Sequence, residues 1–313
     1  MIEKNELNLN SRGGTELMQE WLYERLPAHL KDAFQIIPSR VRTLADKPRL
    51  LWLHDLAEDR EAGRLKDAEF RKQFARLIYV THWQMQRYNT LLGVPFDEGT
   101  VLRNAIEPIP PKAKSKNGVK LIYHTTPHRG LNILVPVFIK LCELHEDIEL
   151  DVYSSFKIYG WEARDKAFEQ VFDLCRTHPK IRYHGAVSNA EVRAALQDAH
   201  IFAFPSIHPE TSCIALIEAM SAGCLTVCSS LAALPETSAN FAAMYQYVDD
   251  QQAHGSIFAQ ALHQAIKLVK AAPDDLQQQL KLQKQFFDRF YNWDSRILEW
   301  VALMEDLLRA RRS

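Results

Sequence analysis

The chain has 313 residues, 47% of them hydrophobic and 25% charged, with a net charge of −1. That length suits two packed cores rather than one, and a chain without a basic excess is not built as a nucleic-acid binder. No apolar run approaches the roughly 18 residues that span a bilayer, and no apolar signal region follows Met1, so a cytoplasmic protein is expected.

Near the N-terminus lies Leu7–Asn10, where an opening strand is either short and polar or absent. Next comes Ser11-Arg12-Gly13-Gly14-Thr15-Glu16, just ahead of an apolar-periodic helix predicted over 15–26. Adjacent glycines allow a tight turn and bring backbone N–H groups up to an anion, and a helix-entry turn capped by Thr15 is the plainer reading. Strands are predicted at Phe34–Ile37, Leu50–Leu53, Leu77–Val80 and Val101–Leu102, with helices over 66–76 and 82–92. Trp52-Leu53-His54-Asp55 closes the second strand and leaves His54 at its carboxyl end. Arg60, Arg64, Lys66, Arg71, Lys72 and Arg76 form a basic stretch. Such a stretch suits an anionic membrane surface, but the interleaved Glu61, Asp67 and Glu69 favour a solvated face.

Pro108 to Gly118, rich in Pro and Lys and without apolar periodicity, is predicted to be a linker. Beyond it, strands at Val119–Tyr123, Ile148–Tyr153, Ile181–His184, Ile201–Phe204 and Leu225–Cys228 alternate with helices over 130–145, 162–177, 188–198, 212–222 and 253–271. Alternation of this kind builds a parallel sheet covered by helices, with ligands at the carboxyl ends of its strands. The loop after the first of these strands, His124-Thr125-Thr126-Pro127-His128-Arg129-Gly130, carries a guanidinium just ahead of a helix. The loop after the fourth leads through Pro209-Glu210-Thr211-Ser212-Cys213-Ile214 to Glu218, two carboxylates separated by seven residues. Five scattered cysteines without a Cys-x-x-Cys pair suit packed thiols in a reducing compartment.

Phe204 to Met220 resembles the Glu-x7-Glu signature of retaining glycosyltransferase family 4. The resemblance implies an α/β protein of GT-B architecture, with two Rossmann-like doubly wound domains facing a central cleft. It places an N-terminal domain at 1–112, a nucleotide-sugar domain at 113–293, and a C-terminal helix, 294–313, crossing back to the first domain. It further implies a metal-independent, hexosyltransferase-type enzyme that moves a sugar from a nucleotide-diphosphate-sugar to an acceptor hydroxyl with retention. The donor is a substrate, and no cofactor is implied. Glu210 would contact donor-sugar hydroxyls and Glu218 the ribose. Gly13 and Gly14 resemble the family's Gly-Gly-x-Glu loop over the diphosphate, and His54 matches a histidine beside the sugar. Arg129 matches the lysine of the family's Arg-x4-Lys pair, and His124 stands where the arginine would be, with Lys120 or Arg12 as the alternative source of the second charge. Val187 lies in the element similar to the loop that holds the base. Thr211-Ser212-Cys213 replaces the usual Gly-Phe-Gly, with Ile214 next to it, so any phosphate there would be met by backbone N–H groups.

The acceptor is left open among a glycan, a lipid-linked glycan and a small molecule, and so is the oligomeric state. No nucleic-acid partner is expected. Peripheral contact with the inner face of a membrane is compatible with the resemblance. A nucleotide-sugar epimerase of the same architecture and a non-catalytic nucleotide-sugar-binding relative are the alternatives.

Overall fold

The computed structural model describes residues 13–311. The segment Leu7–Asn10, and Ser11 and Arg12 of the glycine loop, lie outside the described residues. The chain divides into two compact units. The first comprises residues 13–105, 210–212 and 291–311, and the second residues 106–209 and 213–290.

In the first unit, α1 (Gly14–Arg25) and α2 (Ala28–Ala33) lead into β1 (Gln35–Pro38) and β2 (Arg49–Leu53). Then α3 (Ala68–Arg71), β3 (Arg76–Tyr79), α4 (His82–Leu92) and β4 (Gly99–Val101) complete it, and the four strands pair in parallel in the order β1-β2-β3-β4. The predicted helix over 66–76 is instead a 3-10 turn at Ala62–Lys66 followed by the short α3. Asp67 caps the Glu69 N–H, and the Arg71 guanidinium draws in the Leu65 and Lys66 carbonyls while pairing with Glu98, which breaks the segment into two turns. The basic stretch is therefore largely paired at home: Lys72 meets Glu69 at 2.5 Å and Arg64 covers the Phe70 ring at 4.2 Å.

In the second unit, β5 (Val119–Tyr123), α5 (Leu131–Leu141), β6 (Ile148–Val152), α6 (Glu169–Thr177), β7 (Ile181–Tyr183) and α7 (Asn189–Asp198) come first. They are followed by β8 (Ile201–Phe204), α8 (Ile214–Ser221), β9 (Leu225–Ser229), α9 (Leu234–Ser238), β10 (Ala243–Tyr245), α10 (Gln251–Ala271) and α11 (Asp274–Phe290). All six strands are parallel, in the order β10-β9-β8-β5-β6-β7. The run Ile201–Phe204 is buried at every residue, as expected of a strand covered on both faces. Winding reverses between β5 and β8, so the loops leaving their carboxyl ends flank a topological switch point, where doubly wound sheets bind ligands.

The expected linker is not a free tether. Ile109 is 1% exposed, its N–H donates to Ser221 Oγ at 3.0 Å, and its carbonyl accepts from Lys284 Nζ. Gln197 donates to the Pro110 carbonyl, and Lys114 donates to the carbonyls of Ala199 and Gly223. The segment is thus bound along the second unit, and the unit boundary falls at Ala105/Ile106 rather than at 112/113.

At the C-terminus, α12 (Trp293–Ala310) belongs to the first unit. Trp300 is buried and meets Trp52 of β2 edge-on at 5.0 Å between ring centroids, while Trp293 meets Trp21 of α1 at 6.4 Å. Among the described residues no helix is long and apolar enough to cross a membrane.

Candidate functional site

Within the first unit, the carboxyl end of β2 is held by side chains from other elements. Buried Gln84 of α4 donates to the carbonyls of Leu53 and Asp55 at 3.2 and 2.9 Å and accepts from the Val80 N–H at 2.9 Å. The His54 N–H donates to Ser39 Oγ at 2.9 Å. The His54 carbonyl accepts from Thr211 Oγ1 at 2.7 Å, and the Thr211 carbonyl accepts from Thr81 Oγ1 at 2.8 Å. His54 is thereby joined to the segment Glu210-Thr211-Ser212, and the residue that replaces the family's glycine has a bonding role of its own. The imidazole of His54 packs on Trp52 at 4.6 Å, and its buried Nε2 has no hydrogen-bond partner. Burial pushes its pKa down to about 3, so the ring is neutral. Ser212 Oγ is likewise buried and unpartnered. Gly13 is the extended N-cap residue of α1 and Gly14 its first residue, so the glycine pair does open a helix.

In the second unit, the loop after β5 runs through a 3-10 turn at Pro127–Arg129 into α5. Arg129 Nη1 bonds Thr126 Oγ1, which fixes the guanidinium at the head of the helix. Gly130 follows with φ +114°, and a Cβ there would lie 2.2 Å from the Pro205 carbonyl oxygen. Only glycine lets the β5 and β8 loops approach this closely. His124 packs on Phe202 at 4.6 Å, its Nε2 buried and unpartnered, and burial pushes its pKa down to about 3. A neutral imidazole at the position of the family's arginine supplies no positive charge there. Arg12, an alternative source of that charge, is outside the described residues. Lys120, the other alternative, reaches toward Asp151 at 3.7 Å.

His128, not singled out from the sequence, stacks on Phe156 at 5.2 Å and meets His208 edge-on at 4.6 Å. Loops leaving β5, β6 and β8 thus converge. Buried, unpartnered polar atoms gather on two of them: His124 Nε2, Thr125 Oγ1 and His128 Nδ1 on the β5 loop, and Ser154 Oγ on the β6 loop. Buried polar groups without partners cost free energy, so their gathering at strand ends marks a place that a polar ligand would complete.

Each buried neutral imidazole also carries a pH signature. The unfolded chain takes up a proton below about pH 6.5 while the folded chain does not, so stability is intact above that pH. It then falls toward pH 3 by roughly 1.4 kcal/mol per pH unit for each such ring. His124→Asn is expected to shallow the acid limb of a denaturation profile by about one proton. An unchanged slope would show that His124 titrates normally in the fold.

The carboxylate partner sits in α8. Cys213 is the N-cap residue and Ile214 opens the helix. Gly223, with φ +70°, ends it, and the Cys224 N–H returns to the Ala219 carbonyl at 2.9 Å. Glu218 is 3% exposed and faces α7, where Asn189 Nδ2 reaches both its oxygens at 3.2 and 3.3 Å and Arg193 Nη1 meets Oε1 at 3.0 Å. Burial raises its pKa, opposed by Arg193 and Asn189. A Ser188–Glu191 capping box starts α7 directly after Val187. The element that resembles the base-binding loop therefore leads into the helix that holds Glu218. Asn189 and Arg193, like His128, were not singled out from the sequence. Their only signal was an i, i+4 polar pair behind a capping serine.

An all-parallel two-unit architecture with this second-unit topology is that of the GT-B glycosyltransferases. A glycosyltransferase from Rickettsia africae ESF-5 superposes with a TM-score of 0.71 at 13% identity, covering 96% of this chain and 84% of that one. Anabaena HepE, solved in complex with UDP and glucose, superposes with a TM-score of 0.69 at 11% identity, covering 93% and 82%. Residues 122–271 match the family described as Glycosyl transferases group 1. Among curated relatives, the phosphatidylinositol N-acetylglucosaminyltransferase GPI3 subunit of Saccharomyces cerevisiae is 25% identical over 160 residues, 51% of this chain and 33% of that protein. The chain thus spans about a third of the length of that relative.

Proposed function

We propose that the protein is a retaining glycosyltransferase that moves a sugar from a nucleotide-diphosphate-sugar to an acceptor hydroxyl in glycoconjugate assembly. The observation that carries this reading is the set of unpartnered buried polar atoms at the carboxyl ends of β5 and β6, beside Arg129 and the N-terminus of α5 at the switch point. In this reading Arg129 and the first-turn N–H groups of α5 stabilise the departing diphosphate, whose charge grows as the anomeric C–O bond breaks. Glu210 and the neutral His54 hold the sugar hydroxyls, and Gly13 and Gly14 keep their backbone role toward the diphosphate. Backbone around Val187 receives the base, and backbone N–H groups of Thr211-Ser212-Cys213 and Ile214 face the donor. The acceptor oxygen forms the new bond on the face the phosphate leaves, and its proton passes to a phosphate oxygen. Glu218 accepts from the ribose.

The names of the relative and of the solved neighbour make UDP-N-acetylglucosamine and UDP-glucose the first donors to test. Incubation with a donor panel and mixed acceptors (glycans, lipid-linked glycans, small alcohols), read by mass spectrometry, is expected to show donor loss only when acceptor is present. Donor turnover without acceptor would favour an epimerase. Thr211, committed to His54, favours a non-catalytic binder as the second reading, and nucleotide binding with no turnover across the panel would select it.

A further inference from the structure

The two arms of Arg193 hold different things. Nη1 meets Glu218 Oε1 at 3.0 Å, while Nη2 donates to the carbonyls of Glu107 and Pro108 at 2.7 and 3.4 Å. Its side chain is 18% exposed and that of Glu218 3%. A guanidinium is a planar fork of fixed geometry, so anchoring one arm on two backbone carbonyls fixes the direction of the other. Asn189, one turn earlier on α7, shares its amide between both Glu218 oxygens. An ionised carboxylate offers about four acceptor positions. Oε1 takes Arg193 and Asn189, whereas Oε2 takes only the 3.3 Å contact from Asn189.

We infer that Arg193 is a positioning residue for nucleotide binding: it fixes the Glu218 carboxyl group and turns Oε2 toward the ribose hydroxyls of the donor. The inference rests on the proposal that Glu218 meets the ribose. Without Arg193 the buried carboxylate would lose its only ion-pair partner among the described contacts, and a buried carboxyl group without a cation favours its neutral form. A neutral carboxyl still bonds a hydroxyl but forfeits the charge-assisted part of the interaction. Lysine in its place would keep a charge yet, as a point donor, could not grip the linker carbonyls and the carboxylate in one fixed plane.

The experiment compares each of UDP, GDP and ADP with its 2′,3′-dideoxy counterpart on wild type, Arg193→Gln and Arg193→Lys, by calorimetry, with thermal denaturation recorded for each protein. The tightest of the three nucleotides is used for the ratio. Wild type is expected to prefer the ribonucleotide by about tenfold or more, the size of a hydrogen bond to a charged group. Arg193→Gln is expected to bring that preference within about twofold while binding the dideoxy form as wild type does, and Arg193→Lys to fall between. Full preference retained in Arg193→Gln overturns the inference, as does equal weakening toward both nucleotides, which is the mark of a purely structural arginine. If Arg193→Gln does not fold, Arg193→Lys decides, and a wild-type ratio there overturns the inference. A wild type that does not discriminate overturns the ribose role of Glu218 itself, an outcome distinct from the others.

Discussion

Glu210→Gln is expected to lower kcat for sugar transfer by about 10²–10³-fold, the usual cost of removing one electrostatic contact to a transition state, while the donor KM changes little. Glu210 begins the three-residue segment of the first unit that Thr211 ties to the His54 carbonyl and Thr81 ties to Thr211. Those bonds run through Thr211 and survive the substitution. Glutamine keeps the shape and one acceptor oxygen, and what it loses is the charge. A negative carboxylate beside the sugar matters most when positive charge develops at the anomeric carbon, so the deficit should fall on kcat. Steady-state kinetics with the donor identified by the panel assay checks this. A variant within twofold of wild type in kcat would remove Glu210 from the neighbourhood of the reacting sugar.

Gly130→Ala is expected to destabilise the protein by about 3 kcal/mol and to weaken nucleotide binding at the same time. The backbone at φ +114° lies outside what alanine adopts without strain, which costs on the order of 1–3 kcal/mol by itself. The added Cβ would also lie 2.2 Å from the Pro205 carbonyl oxygen, which is backbone and has no rotamer to change. The chain must move, and the loops after β5 and β8 must separate. Those loops carry His124, Arg129 and the approach to α8, so the strain reaches the candidate site directly. For a unit of this size the loss corresponds to a melting-temperature drop of roughly 6–12 °C. A thermal scan paired with nucleotide titration reads both effects. A stable variant with unchanged nucleotide affinity would mean that the close approach of Gly130 to Pro205 is dispensable.

What the sequence revealed follows from the range of the forces involved. Ile201–Phe204 was legible because a strand buried on both faces is a continuous apolar run, and Val119–Tyr123 because Lys120 alone interrupts one. Helix 82–92 was legible because Thr81 caps it and Gly93 closes it in the left-handed region. α11 was not, since it starts behind Pro273 with two aspartates and carries a glutamine-rich run; its helix is secured by tertiary contacts such as Gln283 to the carbonyls of Met220 and Cys224. The linker read as free because its anchors, Lys284, Gln197 and Arg193, lie about 85 to 175 residues away.

The candidate site divides along the same line. Glu210, Glu218, Arg129 and the Arg129-Gly130 step stand in local motifs. Arg193 and Asn189 act on Glu218 across 25 and 29 residues, and no local pattern reports that. The neutrality of His124 and His54 comes from burial against Phe202 and Trp52, which also is a property of the packed chain.

Hydrogen exchange of the wild-type protein with and without saturating nucleoside diphosphate tests the placement of the donor most directly. Slowed exchange is expected in the loop after β5, residues 124–132, in the Val187 loop and first turn of α7, residues 185–193, and at the start of α8, residues 213–218. Binding accompanied by protection elsewhere, with these three segments unchanged, would contradict a nucleotide-sugar site at the carboxyl edge of the six-stranded sheet.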